Sequence, residues 1–138
     1  MGVKVLPAKA SDRDAVIALW HLTDLTRPWN DAGIDFDLAS RTSSSTILLA
    51  ENSGGLVGSV MVGFDGHRGW VYYLATKPEE RGKGIGRTLM QEAENWLRQR
   101  GAPKIQLMVR ADNADVRGFY SSIGYEMQDV ITIGRRLD

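Results

Sequence analysis

The stretch that most constrains this chain is a basic, glycine-rich turn between an apolar run and an amphipathic run. The turn spans residues 77–87 and reads Lys-Pro-Glu-Glu-Arg-Gly-Lys-Gly-Ile-Gly-Arg. Residues 70–76 before it are apolar and aromatic, as in a strand, and residues 88–100 after it have helical spacing of apolar side chains. A strand, turn and helix in this order direct a helix N-terminus and several backbone N–H groups to one point. Such a point attracts anions, so we expect the turn to hold a phosphate-bearing cofactor.

Composition is that of an ordinary globular protein, and we predict a single domain over residues 1–138. Of the 138 residues, 43% are apolar and 25% are charged. A chain of this size and composition can form a hydrophobic core that does not need disulfide bonds or a structural metal for stability. Seventeen basic residues balance seventeen acidic ones. This balance argues against a nucleic-acid or membrane binder, whose affinity would depend on a basic excess. With no cysteine and two histidines, disulfides and thiolate chemistry are excluded and no metal site is expected.

Two observations concern location. No run approaches the ~18 apolar residues that a membrane-spanning helix needs. Residues 1–7 lack the long apolar stretch of a signal peptide. We therefore expect a cytoplasmic protein with no membrane partner.

The order of elements predicts a sheet with helices packed against it. Helices are predicted at residues 11–24, 35–42, 88–100 and 113–122. Strands are predicted at residues 3–8, 46–51, 56–64, 70–76 and 105–109, with one more within 125–136. Ser11 is the expected cap of the first helix, and Gly101 with Pro103 ends the third. The crossover through that third helix should be right-handed, which makes the strands on either side of it parallel neighbours.

Two common phosphate-binding loops do not match the turn. A Walker loop needs Ser or Thr after its Gly-Lys pair, but Lys83 is followed by Gly84. A dinucleotide fingerprint counted from Gly82 needs glycine at the sixth position, where Arg87 stands. Both alternatives are therefore rejected.

A third pattern matches and extends beyond the turn. Residues 81–86, Arg-Gly-Lys-Gly-Ile-Gly, fit the Arg/Gln-x-x-Gly-x-Gly/Ala turn of the GNAT family of N-acetyltransferases, which this chain resembles. Residues 113–125 resemble the family's second cofactor segment, Asn-x-x-Ala-x-x-Leu/Phe-Tyr-x-x-x-Gly-Phe/Tyr, with Val116 at the Ala position. The resemblance covers nearly the whole chain. Residues 27–31 and 65–70 further resemble the YpeA-like bacterial subgroup.

The resemblance implies an α/β (α+β) fold. Its central sheet would have six to seven strands, mostly antiparallel with a splayed parallel pair, flanked by about four helices. Coenzyme A would place its pyrophosphate on the glycine turn, where basic side chains add local positive charge. Its pantetheine arm would lie in the gap between the two diverging parallel strands. The cofactor-binding residues implied in this way are Leu74, Ala75, Thr76, Arg81, Gly82, Lys83, Gly84, Ile85, Gly86, Arg87 and Asn113. Asn113 is equally suited to capping the helix that follows it.

The implied reaction is direct attack of a primary amine, on a small molecule or a protein N-terminus, on the thioester of acetyl-CoA. Tyr120 stands where the family's general acid stands. The same position is also consistent with a tyrosine that only packs in the core. Tyrosine titrates near 10 and a thiol near 8.5, so we expect Tyr120 to stabilise the leaving sulfur by a hydrogen bond. No carboxylate occurs in residues 70–76 or 105–109 to act as the base. The candidates are Glu51, Asp65, His67, Glu79 and a water chain with Tyr72 or Tyr73.

The acceptor is expected to bind at the 26–33 loop and the 64–70 turn. The candidate residues are Arg27, Trp29, Asp31, Asp65, His67 and Trp70. Trp29 and Trp70 could instead be packing anchors. Two other functions stay open on the same fold: a non-catalytic acyl-CoA sensor, and an interaction module that forms a homodimer through the edge of its C-terminal strand.

Overall fold

The computed structural model describes residues 2–138, which divide into two compact units. The first unit ends at Met108 and the second comprises Val109–Asp138. The single domain over residues 1–138 stays a prediction.

A five-stranded mixed sheet forms the centre of the first unit. Its strands, in spatial order as in sequence, are β1 (Lys4–Pro7), β2 (Ser45–Asn52), β3 (Gly55–Phe64), β4 (Gly69–Thr76) and β5 (Ile105–Leu107). The first four pair antiparallel, and β4 pairs parallel with β5. The predicted antiparallel sheet with one parallel pair is confirmed.

Helices cover both faces of this sheet. One face is covered by α1 (Arg13–Leu22) and α2 (Ala32–Arg41), and the other by α3 (Ile85–Gln99). Adjacent residues of β3 show the two sides, because neighbouring side chains on a strand point in opposite directions. Ser59 is hydrogen-bonded to Trp20 of α1, whereas a Cβ on Gly58 would lie 2.9 Å from Leu89 of α3. Glycine at this position therefore lets α3 pack closely on the strands.

The core residues follow the expected spacings. Beneath α1 and α2 the buried cluster comprises Val16, Leu19, Trp20, Ala32, Phe36, Ala39, Ile47, Leu49 and Ala75. The buried residues of α3 are Ile85, Leu89, Met90, Ala93 and Leu97. Each fully buried large side chain of this kind contributes about 2 kcal/mol of hydrophobic stabilisation.

Three helix starts differ from the prediction by more than one residue, among them that of α3, which begins at Ile85 instead of residue 88. A 3-10 turn, Ala10–Asp12, precedes α1, and the cap residue of α1 is Asp12 rather than Ser11. The Asp12 carboxylate accepts from the Lys9 backbone N–H at 2.8 Å, which closes that turn before the helix begins. Helix α2 begins at Ala32 instead of Asp35.

The second unit contains one helix, α4 (Ala114–Ser122), and a tail without regular structure. Asn113 caps this helix, accepting at Oδ1 from the Val116 N–H at 3.2 Å. The strand predicted within residues 125–136 was wrong, since no strand occurs there. Apolar side chains of the tail are exposed, among them Ile133 at 88% and Leu137 at 95%, so the tail lacks the buried face that stabilises a strand. The sheet accordingly has five strands among the described residues rather than six to seven.

Within residues 2–138, none of the helices combines the length and the apolarity that crossing a membrane requires.

Candidate functional site

The glycine turn is an exposed loop that leads into the N-terminus of α3. It follows a 3-10 turn at Pro78–Glu80, and residues 81–84 are all exposed. Gly82 and Gly84 have φ values of +81° and +82°, a left-handed conformation that a Cβ disfavours. Gly84 is the N-cap of α3 and provides no side chain to satisfy the helix start. The glycines therefore keep this helix end open.

Three backbone donors remain at that helix end. The first backbone hydrogen bond of α3 runs from the Thr88 N–H to the Gly84 carbonyl at 3.0 Å. The N–H groups of residues 85–87 precede it and have no carbonyl within the helix to bond. They point along the helix axis at its positive end, where an anion is favoured. The turn thus has the donors that a phosphate group requires.

The basic side chains of the turn are not equally available. Lys83 Nζ lies 2.8 Å from Glu80 Oε2. The hydrogen bond from Lys83 is the main cause that lowers the pKa of Glu80. Arg81 and Arg87 are exposed, and neither forms an ion pair with any other residue of the described chain. The two arginines, more than Lys83, supply the free positive charge.

The parallel pair β4–β5 opens before β4 reaches this turn. The two strands pair at only three positions, Gly69↔Ile105, Trp70↔Gln106 and Val71↔Leu107. Beyond them, residues 72–76 of β4 have no strand on this side among the residues described. The Lys77 N–H donates to the Val57 carbonyl at 2.8 Å, so the backbone groups of Leu74 and Thr76, alternate in the strand, face the open side.

Strand β4 bulges at Tyr73. Tyr73 and Leu74 together stand opposite Val60, between the pairs Ser59↔Ala75 and Met61↔Tyr72. Tyr73 has a φ of +55°, which costs a residue of this kind about 1–3 kcal/mol. Its ring stacks on Trp20 with centroids 3.8 Å apart, and its carbonyl accepts from Ser59 at 2.9 Å. These contacts offset the strain and hold the bulge next to the open edge.

A polar cluster that no sequence motif indicates lies at the Tyr73 hydroxyl. The hydroxyl donates to Asp35 Oδ2 at 2.6 Å, and Asn30 Nδ2 donates to the same carboxylate oxygen. Burial, followed by the hydrogen bond to Asp35, raises the pKa of Tyr73. Asp35 and Tyr73 are 38 positions apart, so no local pattern in the sequence links them.

The predicted acceptor residues of the 26–33 loop are used mostly within that loop. Asp31 caps α2, accepting at Oδ1 from the N–H groups of Gly33 and Ile34 at 2.8 and 3.1 Å. Arg27 donates to the carbonyls of Asp24 and Thr26 at 2.8 and 2.7 Å. Trp29 is 58% exposed and is therefore not a buried packing anchor.

The 64–70 turn is organised by Asp65. Its Oδ1 accepts from the N–H groups of His67 and Arg68 at 2.8 and 2.7 Å, and its Oδ2 accepts from the Trp70 indole at 3.2 Å. The backbone hydrogen bonds from Arg68 and His67 lower the pKa of Asp65. A carboxylate with a lowered pKa is a weaker proton acceptor, which disfavours Asp65 as the general base. His67 is exposed.

Tyr120 lies on α4 in the second unit. Its ring contacts those of Phe119 and Tyr125, with centroids 5.1 and 5.7 Å apart. Burial raises the pKa of Tyr120 to about 12. The hydroxyl is therefore neutral at physiological pH and can donate a hydrogen bond.

Comparison with known proteins identifies the family. A sequence model of the acetyltransferase (GNAT) family matches residues 15–125. An acetyltransferase of Pectobacterium atrosepticum is 48% identical over 129 residues, which covers 94% of this chain and 92% of that protein. An acetyltransferase of Yersinia enterocolitica is 47% identical over 127 residues, covering 92% of this chain and 90% of that protein.

Solved structures show the same fold at low sequence identity. An aminoglycoside N-acetyltransferase, AAC(6')-Iy, in complex with a bisubstrate analogue superposes with a TM-score of 0.84 at 12% identity, over 99% of both chains. The glucosamine-6-phosphate N-acetyltransferase of Arabidopsis thaliana gives a TM-score of 0.74 at 19% identity, over 100% of both chains. The YpeA-like subgroup stays a prediction. The chain belongs to the GNAT acetyltransferase family and is an acyltransferase.

Proposed function

We propose that this enzyme is a cytoplasmic N-acetyltransferase that moves an acetyl group from acetyl-CoA to a primary amine by direct attack. The amine belongs to a small molecule or to a protein N-terminus. One observation supports this most: β4 loses its parallel partner after Val71, and its open edge leads to the free N–H groups at the start of α3. An unpaired strand edge followed by an anion site suits a ligand with an amide-bearing arm and a pyrophosphate.

The proposed cofactor contacts divide into two groups. The backbone N–H groups of residues 82–87 bind the pyrophosphate, with Arg81 and Arg87 adding charge and Lys83 contributing once it leaves Glu80. Within the segment 74–76, the backbone groups of Leu74 and Thr76 pair with the pantetheine arm as an added strand would. The family resemblance adds Asn113 as a further ligand, through the side-chain nitrogen that its capping role does not use. Acetyl-CoA supplies the thioester whose acyl group is transferred.

Tyr120 is proposed to donate a hydrogen bond to the leaving sulfur. Moving its proton fully to a thiolate with a pKa near 8.5 would be uphill by roughly 5 kcal/mol, because the pKa of Tyr120 is about 12. A neutral hydroxyl can still stabilise the charge that develops on sulfur. The base stays open among Glu51, His67, Glu79 and ordered water, and an acceptor that arrives neutral needs little help from it.

The decisive experiment measures binding and turnover separately. Acetyl-CoA is titrated into the enzyme by calorimetry, and thiol release is followed with a panel of primary amines and short peptides. We expect micromolar binding and amine-dependent thiol release, with mass spectrometry showing an acetylated amine. Binding without transfer to any amine would favour the acyl-CoA sensor, and no binding at millimolar acetyl-CoA would favour the interaction module.

A further inference from the structure

Asn30, Asp35 and Tyr73 form a hydrogen-bonded cluster around one carboxylate. Both donors reach the same oxygen, Asp35 Oδ2. No hydrogen bond within the described part of the chain reaches Oδ1, and no basic side chain there forms an ion pair with Asp35. Asp35 is only partly buried, so part of the residue is in contact with solvent. The carboxylate is oriented by two donors but has no cation as a partner.

The charges around the cluster are those of Asp31, Asp35 and Arg13. Asp31 also lies close enough to raise the pKa of Tyr73, so two carboxylates act on the cluster. The neighbouring cation, Arg13, pairs with Asp37, with Nε 2.8 Å from Oδ1, and its charge also acts on Asp31. Asp35 is thus a carboxylate without an ion-pair partner in residues 2–138, on a protein with zero net charge.

The cluster is anchored through Tyr73, whose backbone adjoins the segment of β4 proposed to bind the cofactor arm. Tyr73 is held by stacking on Trp20 and by the bond from Ser59 to its carbonyl. It immediately precedes the segment 74–76, in which the backbone groups of Leu74 and Thr76 face the open side of β4. With a rise of about 3.3 Å per strand residue, Tyr73 lies within roughly 10 Å of Thr76 along the strand.

Exposed apolar side chains flank the cluster in sequence. Trp29 precedes Asn30, and Ile34 and Leu38 lie beside Asp35 on α2, with exposed fractions of 58%, 61% and 49% respectively. Residues at positions i and i+3 of a helix are neighbours on its surface, so Leu38 is close to Asp35. A ligand whose cationic group meets Asp35 would have apolar surface beside it.

We propose that Asp35 is the specificity-determining residue for the acceptor: its carboxylate binds the ammonium group of a primary amine carried on an apolar or aromatic body. Tyr73 and Asn30 position that carboxylate. This inference rests on the proposed transfer to an amine. It adds to that proposal the positive charge and the apolar or aromatic character of the acceptor.

The test uses 2-phenylethylamine as the probe and 2-phenylethanol as its uncharged counterpart. Nuclear magnetic resonance titrations follow the backbone amides of residues 34–36 and the side-chain amide of Asn30, with and without coenzyme A. The proteins compared are wild type, Asp35→Asn, and Asp37→Asn, which removes the same charge from the same helix. Asparagine keeps an oxygen that can accept from Tyr73, so Asp35→Asn preserves the fold while removing the charge.

We expect saturable shifts with the amine in wild type and Asp37→Asn, none with the alcohol, and at least about tenfold weaker binding in Asp35→Asn. If the amine is also turned over, its KM should rise by a similar factor while the acetyl-CoA affinity stays within about twofold. Equal shifts in wild type and Asp35→Asn, or no shifts in wild type, would overturn the inference. Failure of the proposed function appears differently, as amine binding at Asp35 without thiol release.

Discussion

The hydroxyl of Ser59 donates a hydrogen bond to the carbonyl oxygen of Tyr73 at 2.9 Å, across the bulge of β4. The same hydroxyl oxygen accepts from the Trp20 indole at 3.0 Å, and Ser59 is fully buried. One buried hydroxyl therefore connects α1, β3 and the strand beside the proposed acyl site. Because Tyr73 also stacks on the buried Trp20, the bulge is anchored in the core.

Replacing Ser59 with alanine should destabilise the protein by about 2–3 kcal/mol. The substitution leaves the Trp20 N–H and the Tyr73 carbonyl buried without that partner, and each such group carries a desolvation cost. Urea unfolding followed by tryptophan fluorescence measures the loss. Ser53→Ala, at an exposed turn position, is the matched control and should change the midpoint little. A Ser59→Ala midpoint equal to that of wild type would show that the bulge does not need this bond.

Replacing Gly84 with alanine should weaken acetyl-CoA binding about tenfold, because a left-handed φ costs a residue with a Cβ about 1–2 kcal/mol. Gly84→Asn should fall between alanine and wild type, since asparagine tolerates this conformation better. Calorimetric titration measures both. Gly134→Ala, where φ is not positive and a Cβ meets nothing, is the control. Equal affinities for the alanine variant and wild type would mean that the backbone of this turn does not contact the cofactor.

Replacing Glu80 with glutamine should tighten acetyl-CoA binding by about threefold at low salt. The change releases Lys83 from its ion pair and removes a negative charge beside the proposed phosphate site. The gain should shrink at high salt, because exposed charges are screened. Glu79→Gln removes a neighbouring charge without releasing Lys83 and separates the two effects. An equal gain in both variants would show that the ion pair itself is unimportant.

Replacing Tyr120 with phenylalanine should lower kcat by about tenfold or more, since removal of one hydrogen bond to a developing charge has effects of this order. The affinity for acetyl-CoA should stay within a few-fold. With a pKa of about 12, the Tyr120 hydroxyl stays protonated up to about pH 11, so the wild-type rate should show no loss from its ionisation below that pH. Turnover unchanged by the substitution would remove Tyr120 from the mechanism.

Folding stability should fall as the pH rises from about 10 toward 12. Burial raises the pKa of both Tyr73 and Tyr120 in the folded protein, whereas unfolded tyrosines ionise near 10. Between these values the unfolded state holds fewer protons than the folded state, so alkaline pH favours unfolding. Urea midpoints at pH 9, 10 and 11 should decline less steeply in Tyr120→Phe than in wild type. Parallel declines would show that Tyr120 does not contribute.

Much of the site was readable from neighbouring residues. Two features depend on the spacing of residues within a few positions: the glycine turn and the buried face of α3. The parallel pairing of β4 with β5 follows from the rule that strand–helix–strand crossovers are right-handed. The cap formed by Asp31 was also available as a signal, since an aspartate before Ala-Gly-Ile is typical of a helix start. The tail of residues 125–136 shows the opposite case, in which apolar residues suggested a strand that does not form among the described residues.

The sequence alone determined the glycine turn that leaves the N-terminus of α3 uncapped, the apolar face of each helix and the family to which the chain belongs. Each of these features depends on residues that are close together in the chain. Only the tertiary structure placed Tyr73 against Trp20, Ser59 and Asp35. Many other residues in the chain have the same structural propensities as these four. Which of them come into contact depends on which strand has the bulge and on which helix packs over it. In the resulting arrangement, no buried side-chain nitrogen or oxygen of the described residues lacks a hydrogen-bond partner, and this depends on residues far apart in the sequence.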